Sequence, residues 1–509
     1  MKAANKVAVN SIALYLNMAV SMGVSLLATR FVLEALGRTD YGIYALIANI
    51  VAMFSFLNVA MAAATQRYLS YAIGANNPDK IKEIFYSSQL IHWSIAFLLA
   101  LLLSVGGLLC IDHILDIPAT DLDKARIVLY CMVIGIVCTV SAVPYEAAMN
   151  AHEDIFVIAG INITEALLKL AISIGLLYIA AHRLILYSAC ITAVSLFAFL
   201  CKRIFSRRHY TECHNRLHKI KNYGLIKSMT GFAGWNLIGA GTSIARYQGA
   251  AVLLNMFFGI AINAAYGIAQ QVNGFLMFFA NSTIRPLRPQ IVKNEGAGKH
   301  TTVVALSFSA CRLTFLLLSL VIIPLYINMP FILQLWLKNV PESTLEFCRL
   351  FLLITLINQL SIGLTVALES VGRIRRLQLI VGSMHIAALP ISYVLFKAGL
   401  PASSILYCVL AEECVSTICR VFIARKDASI PAGLYLKRLL APCVSCTVIC
   451  FTATHLITYY LCESPFIKLC TSSFVSSILL CALAYAYCLS NWEKEKFHGL
   501  LSSIRARKL

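Results

Sequence analysis

Long apolar runs separated by short polar connections cover nearly the whole chain. A helix needs about twenty mostly apolar residues to cross a bilayer, and about fourteen stretches meet that requirement. They fall near 8–33, 41–64, 84–109, 126–147, 155–181, 184–201, 229–255, 263–284, 303–327, 346–368, 377–396, 402–423, 439–461 and 467–489. The pattern predicts an all-α integral membrane protein of about fourteen transmembrane helices.

The connections alternate in charge. One set, including "TQRYLSYAIGANNPDKIKE", "CKRIFSRRHYTECHNRLHKIKNYGLIKS" and "RPLRPQIVKNEGAGKH", is rich in Lys and Arg; the other, including "EALGRTD" and "IDHILDIPATDLDK", is poor in them. By the positive-inside rule the basic set is cytoplasmic, which places both termini of a multi-pass membrane protein in the cytoplasm. The net charge of +19 is therefore topological and does not point to nucleic acid. With 60% hydrophobic and only 13% charged residues, the composition excludes an ordinary soluble domain.

The 18 cysteines lie mostly inside apolar runs, where a thiol packs as a small hydrophobe. Cys443 and Cys446 form a CxxC within a span and read as packing. Asp112, Asp116, Asp121 and Asp123 share one loop, and His209, Cys213, His214 and His218 share another; solvation and an amphipathic linker account for them without a metal. No phosphate-binding loop, nucleophile elbow or HExxH is present, so neither an enzyme nor a cofactor is expected.

Two segments echo one another. Gly37 precedes Tyr41-Gly42-Ile43, and Gly259 precedes Tyr266-Gly267-Ile268; each leads to a basic loop, at Arg67 and Arg288. If spans 1–6 and 7–12 are copies, they share orientation and relate by an axis along the membrane normal. The expected organisation is a six-helix lobe over 1–201, a basic linker over 202–228 that suits anionic membrane lipids, a second lobe over 229–424, and two extra helices with a basic tail over 425–509.

Within this apolar background a few polar residues recur at helical spacing. Arg246 lies roughly 28 Å along a helix from Lys227 and about 20 Å from Gly259, well inside the bilayer. A charge there costs at least about 2.5–3.5 kcal/mol unless it meets water or a partner. Asn236, Gly239, Ser243 and Arg246 share one face; so do Tyr266, Gln270 and Asn273, and Asn10, Asn17, Ser21, Ser25 and Thr29 leading to Arg30. They read either as the lining of a hydrated cavity or as helix-packing residues. Glu165 and Lys169 stand four apart, either a titratable coupling pair for H+ or Na+ or a self-neutralised structural pair. Arg312, Glu412 and Glu413 are further buried charges, whereas Arg349 and Arg420 lie near helix ends and are expected to snorkel.

Leu36, Gly37, Tyr41, Gly42 and Tyr44 (LG-x-x-x-YG-x-Y), then Phe257 to Val272 (FFG-x-x-x-NAA-x-GIA-x-QV) and Pro289-Gln290-Ile291 carry a resemblance. The chain resembles the bacterial polysaccharide transporters, the O-antigen-type flippases of the multidrug/oligosaccharidyl-lipid/polysaccharide exporter superfamily. That resemblance implies two six-helix lobes plus two C-terminal helices, and alternating-access export of an undecaprenyl-diphosphate-linked oligosaccharide, in concert with glycan polymerase or assembly proteins. It also implies cavity cations for the diphosphate: Arg246 first, then Arg30, Lys169 and Arg312, with Asn17, Asn236, Gln270 and Asn273 as amide partners. The alternative is a cation-coupled multidrug exporter of the same superfamily, with Glu165 as the coupling carboxylate.

Overall fold

The computed structural model describes residues 3–52, 55–113, 119–179, 182–214, 223–337, 340–461, 464–490 and 493–494. Among these residues the regular structure is entirely helical, and each of the apolar stretches falls mainly on helix. The chain divides into two compact units, Lys6–Leu237 and a second that takes up the chain from Ile238.

The first unit holds α1 (Ala3–Ala52), α2 (Ser55–Gly74), α3 (Pro78–His113), α4 (Leu122–Ala151), α5 (Ile155–Gly175), α6 (Arg183–His209) and the start of α7 (Tyr223–Ile284). Its core joins Ile47 of α1, Leu103 of α3, Val128 and Leu129 of α4 and Leu184 of α6, all essentially inaccessible. In hydrocarbon, helices associate through close packing and side-chain hydrogen bonds, because lipid tails remove the hydrophobic drive that operates in water. The bonds are present: Thr65 to Ser88 at 2.8 Å, Gln89 Nε2 to the Tyr145 hydroxyl at 2.8 Å, and the Thr192 hydroxyl to the Cys131 carbonyl at 2.7 Å.

The second unit continues α7 and adds α8 (Arg288–Gly296), α9 (His300–Trp336), α10 (Thr344–Gln359), α11 (Ile362–Val371), α12 (Arg375–Lys397), α13 (Ser404–Asp427), α14 (Ala432–Tyr435), α15 (Ala441–Leu461) and α16 (Pro465–Leu483). Among the described residues eight helices are long and apolar enough to cross a membrane, or nine if α10 and α11, bent by 43°, form one broken span. α13 stands outside that set because it carries Glu412, Glu413 and Arg420.

Each unit contains a helix interrupted by one glycine. α1 breaks at Gly37 (φ 74°, ψ 178°) and α7 at Gly259 (φ 80°, ψ −173°), a region of backbone space open essentially to glycine alone. A break strands the last carbonyls of the preceding helix, which need donors. At the first break Arg183 supplies one, its Nη1 donating to the Ala35 carbonyl at 2.8 Å.

The basic linker departs from its expected form. α6 runs on through His209, and the segment after it packs against its own unit. Lys202 is buried and paired with Glu146 at 2.8 Å; Glu212 is buried and meets His152 Nε2 at 2.6 Å. The Tyr210 ring stacks on His152 at 4.2 Å, and its hydroxyl donates to Asp154 at 2.6 Å. Burial, the largest single influence, would raise the Glu212 carboxyl, but the hydrogen bonds from His152 and the backbone, with the nearby His152 and His214 charges, together outweigh it and hold the group below its ordinary value. His209 and His214 bond to the carbonyls of Phe205 and Tyr210, and Cys213 is buried. His218 lies outside the described residues. In the acidic loop Arg126 bridges Asp112 and Asp123, and Lys124 pairs with Asp121; Asp116 lies outside the described residues.

Candidate functional site: a buried charge network

The charges at bilayer depth in the second unit converge. On α13, Glu413, Ser416, Thr417 and Arg420 recur at intervals of three, four and seven and share a face. Glu412 sits about 100° further round that helix, toward α7 and α12. α7 contributes Ser243, Arg246 and Tyr247, and α12 contributes His385. α10 ends at Gln359, and its break presents Asn358 and Ser361 to the same place. A helix break at this depth needs its freed backbone groups satisfied; the Tyr435 hydroxyl donates to the Leu360 carbonyl at 3.0 Å.

Arg246 is 4% exposed, and its Nη1 donates to Glu412 and, at 3.4 Å, to Glu413. Its Nη2 donates to the Tyr247 hydroxyl at 3.1 Å, and the guanidinium lies 4.8 Å from that ring's centroid. Glu413, wholly inaccessible, also accepts from Arg420 at 2.7 Å and from Asn358 at 2.8 Å. Arg420 donates onward to Ser361 at 2.9 Å. Two guanidinium groups thus face two carboxylates, an arrangement in which buried charges are tolerated because each is paired and hydrogen-bonded.

One edge of the network is open. His385 Nε2 stands 3.7 Å from Glu412 Oε1, beyond hydrogen-bonding distance, and neither atom has a hydrogen-bond partner among the described residues. The other ring nitrogen lies 3.3 Å from the Ser243 hydroxyl. His385, Glu412 and Glu413 bring their ligand atoms within 4.8 Å of one another. Arg246 already neutralises the carboxylates from the α7 side, so a metal ion would have to compete with a guanidinium. A proton needs only one of these atoms, Glu412 Oε1 or His385 Nε2, both buried and without a hydrogen-bond partner among the described residues.

The residues expected to bind cargo occupy several different settings. Gln270 meets Arg246 at Tyr247, donating to its carbonyl at 3.4 Å, and Tyr266 donates to that carbonyl at 3.1 Å. Asn273 accepts from Thr355 at 2.5 Å. Arg312 belongs to another buried pair, with Glu493, and also donates to the Arg438 carbonyl at 2.9 Å. In the first unit Asn17 is buried and accepts from Ser21 at 3.1 Å, and Arg30 is exposed. Glu165 and Lys169 form the expected intrahelical pair at 2.7 Å, partly exposed. Asn236 is half-buried, its amide nitrogen without a partner among the described residues.

Solved structures with this arrangement of helices exist. An outward-facing multidrug resistance MATE family transporter of the MOP superfamily superposes with a TM-score of 0.72 at 11% identity, over 84% of this chain and 96% of its own. The fold is that of the MATE transporters. The Vibrio cholerae MATE transporter VcmN in its bent form gives 0.65 at 16% identity, over 85% of this chain and 98% of its own. A MOP superfamily transporter from Pyrococcus furiosus, described as having a binding pocket of reversed polarity, gives 0.68 at 10% identity, over 84% and 96%. The MatE family model matches residues 13–174. No curated protein sequence matches the chain significantly.

Two members of the network on this MATE scaffold had weak or misleading sequence signals. Arg420 read as a snorkelling residue near a helix end, but it is 7% exposed and held by Glu413 and Ser361. One of its partners, Ser361, sits at the α10–α11 break, which composition does not reveal. His385 carried no signal in its own span; its meaning comes from Glu412 on the next helix.

Proposed function

We propose that this chain is a proton-coupled exporter with the MATE fold, and that its cargo is a polyprenyl-diphosphate-linked oligosaccharide carried from the cytoplasmic to the outer leaflet of the bacterial inner membrane. The observation that carries the coupling is the open edge where His385 Nε2 and Glu412 Oε1, both buried and without a hydrogen-bond partner among the described residues, stand 3.7 Å apart. A proton taken up there removes one of the two carboxylate charges that hold Arg246. α7 is then less firmly tied to α13, and its hinge at Gly259 lies thirteen residues beyond Arg246. Proton uptake thereby biases one helix packing over another, the requirement for a coupled two-state transporter. The coupling role is assigned to Glu412 rather than to Glu165 because Glu412, though paired with Arg246, keeps a buried oxygen without a hydrogen-bond partner among the described residues.

The cargo class rests on the sequence motifs around Gly37 and Gly259. Sparse cations suit a diphosphate that must be released as well as bound; Arg30 and Lys169 are the accessible candidates, and glycan assembly proteins are the expected partners. No chemistry on the cargo is required. A second reading, a multidrug exporter, is favoured by the description of one structural neighbour as a multidrug resistance transporter. Cells lacking the gene distinguish the two: loss of surface glycan with unchanged drug susceptibility supports the first, and the converse supports the second. Glu412→Gln is expected to abolish export in either case while the protein still reaches the membrane; undiminished export by that variant would overturn the coupling assignment.

A further inference from the structure

α9, α10 and α15 enclose a cavity of about 300 Å³ that plays no part in the charge network. Its walls are hydrocarbon: Ile322 and Tyr326 from α9, Leu353 and Leu356 from α10, Val448 and Phe451 from α15. Thr447 brings a hydroxyl to the wall, but that group is spent on the Ser319 hydroxyl at 3.3 Å. The lining residues of α10 fall on one helical face, and one turn before Leu353 the same face carries Arg349. Its guanidinium lies 5.1 Å from the centroid of the Tyr326 ring, its Nε is buried without a hydrogen-bond partner, and no carboxylate pairs with it among the described residues. Arg246, Arg288, Arg312, Arg376 and Arg420 each have one.

Two further observations orient this cavity. Tyr326 contacts Phe451 at 5.6 Å, and α15 continues beyond Phe451 with His455 and the exposed Tyr459 and Tyr460, an aromatic cluster of the kind that marks a membrane–water interface. Arg349 therefore stands at the interfacial end. From Arg349 to Leu360, the lining residue just past the end of α10, the rise is about 16 Å. That is roughly half of a ~30 Å hydrocarbon core, the depth of one leaflet.

We infer that this cavity is a binding site for one anionic phospholipid, its phosphate on Arg349 and an acyl chain between α9, α10 and α15. The cation without a carboxylate selects the headgroup, and the walls select the chain. The inference is independent of the cargo assignment.

Native mass spectrometry of the delipidated full-length protein, with phosphatidylglycerol or phosphatidylcholine of matched chains added back, tests it. One phosphatidylglycerol is expected to be retained in preference. Arg349→Gln should reduce that preference about fivefold, the effect of roughly 1 kcal/mol per interfacial cation. Leu353→Trp, which fills the cavity, should abolish retention of either lipid, and Val448→Trp does the same from the partly exposed α15 wall should the first variant fail to fold. Equal retention of the two lipids by the unaltered protein, or an unchanged preference in Arg349→Gln, would overturn the proposal. So would displacement by an equimolar polyprenyl phosphate, which would assign the groove to an isoprenoid tail.

Discussion

Gly37 and Gly259 hold the same glycine-only backbone, their φ and ψ angles agreeing to within about 10°, each at the break of a long helix in its own unit. At both positions a Cβ would meet no atom within 4 Å, so any cost of a side chain there belongs to the backbone. Alanine at either position should cost about 1–3 kcal/mol. Thermal melting of the purified variants checks this against Gly23→Ala, which lies in regular helix with open space and should be neutral or slightly stabilising.

The charge network predicts strong non-additivity. Arg246→Ala leaves Glu412 and Glu413 with Arg420 as their one guanidinium, and stranding a buried charge costs about 3–5 kcal/mol. The double variant Arg246→Met with Glu412→Leu removes a matched pair and leaves Arg420 on Glu413. Its melting temperature should return close to that of the unaltered protein, whereas export should not return. Additive losses of stability would show that the two residues do not interact.

Coupling through the open edge predicts a specific pH response. In proteoliposomes carrying a pH-sensitive dye, cargo addition should drive proton movement in the unaltered protein and none in Glu412→Gln. His385→Gln, which keeps a polar group beside Ser243, should retain cargo binding and lose most of the proton flux. Normal flux in His385→Gln would place the proton elsewhere.

Just beyond the end of α6 in the first unit, Glu212 gives a pH-dependent stability of known sign. Its carboxyl is held below the ordinary value, so its contribution is full above that ordinary value and is lost as pH falls through the depressed one. Glu212→Gln should therefore melt lower at neutral pH, by about 1.5–3 kcal/mol for a charge-assisted hydrogen bond, and the gap should close only in strong acid. A gap that closes between pH 8 and 6 would contradict this assignment.

The helices were legible in the sequence because apolar length alone specifies a span; Gly37 and Gly259 were legible only as an echo, four and seven residues ahead of a Tyr-Gly-Ile, and not as helix breaks. Arg246 was legible as a buried charge because 1.5 Å per residue fixes its depth. Its partners were not. Glu412 and Glu413 lie more than 160 residues away, and a face on one helix does not announce which other helix it meets. Arg420 was misread for a related reason: nearness to a helix end was taken as nearness to water, but Glu413 and, at the α10–α11 break, Ser361 hold it in a buried site. In the linker the partner of Lys202 was equally out of sight, since Glu146 lies 56 residues earlier.

The pairing of Arg312 with Glu493 has a consequence for how the protein is made. The two residues stand 181 positions apart, and Arg312 is buried in the ninth helix of the chain. At about 5–20 residues per second, a ribosome needs roughly 9–36 seconds after Arg312 to deliver its counter-charge. Throughout that interval the nascent helix carries a guanidinium without this carboxylate, at an insertion cost of about 2.5–3.5 kcal/mol.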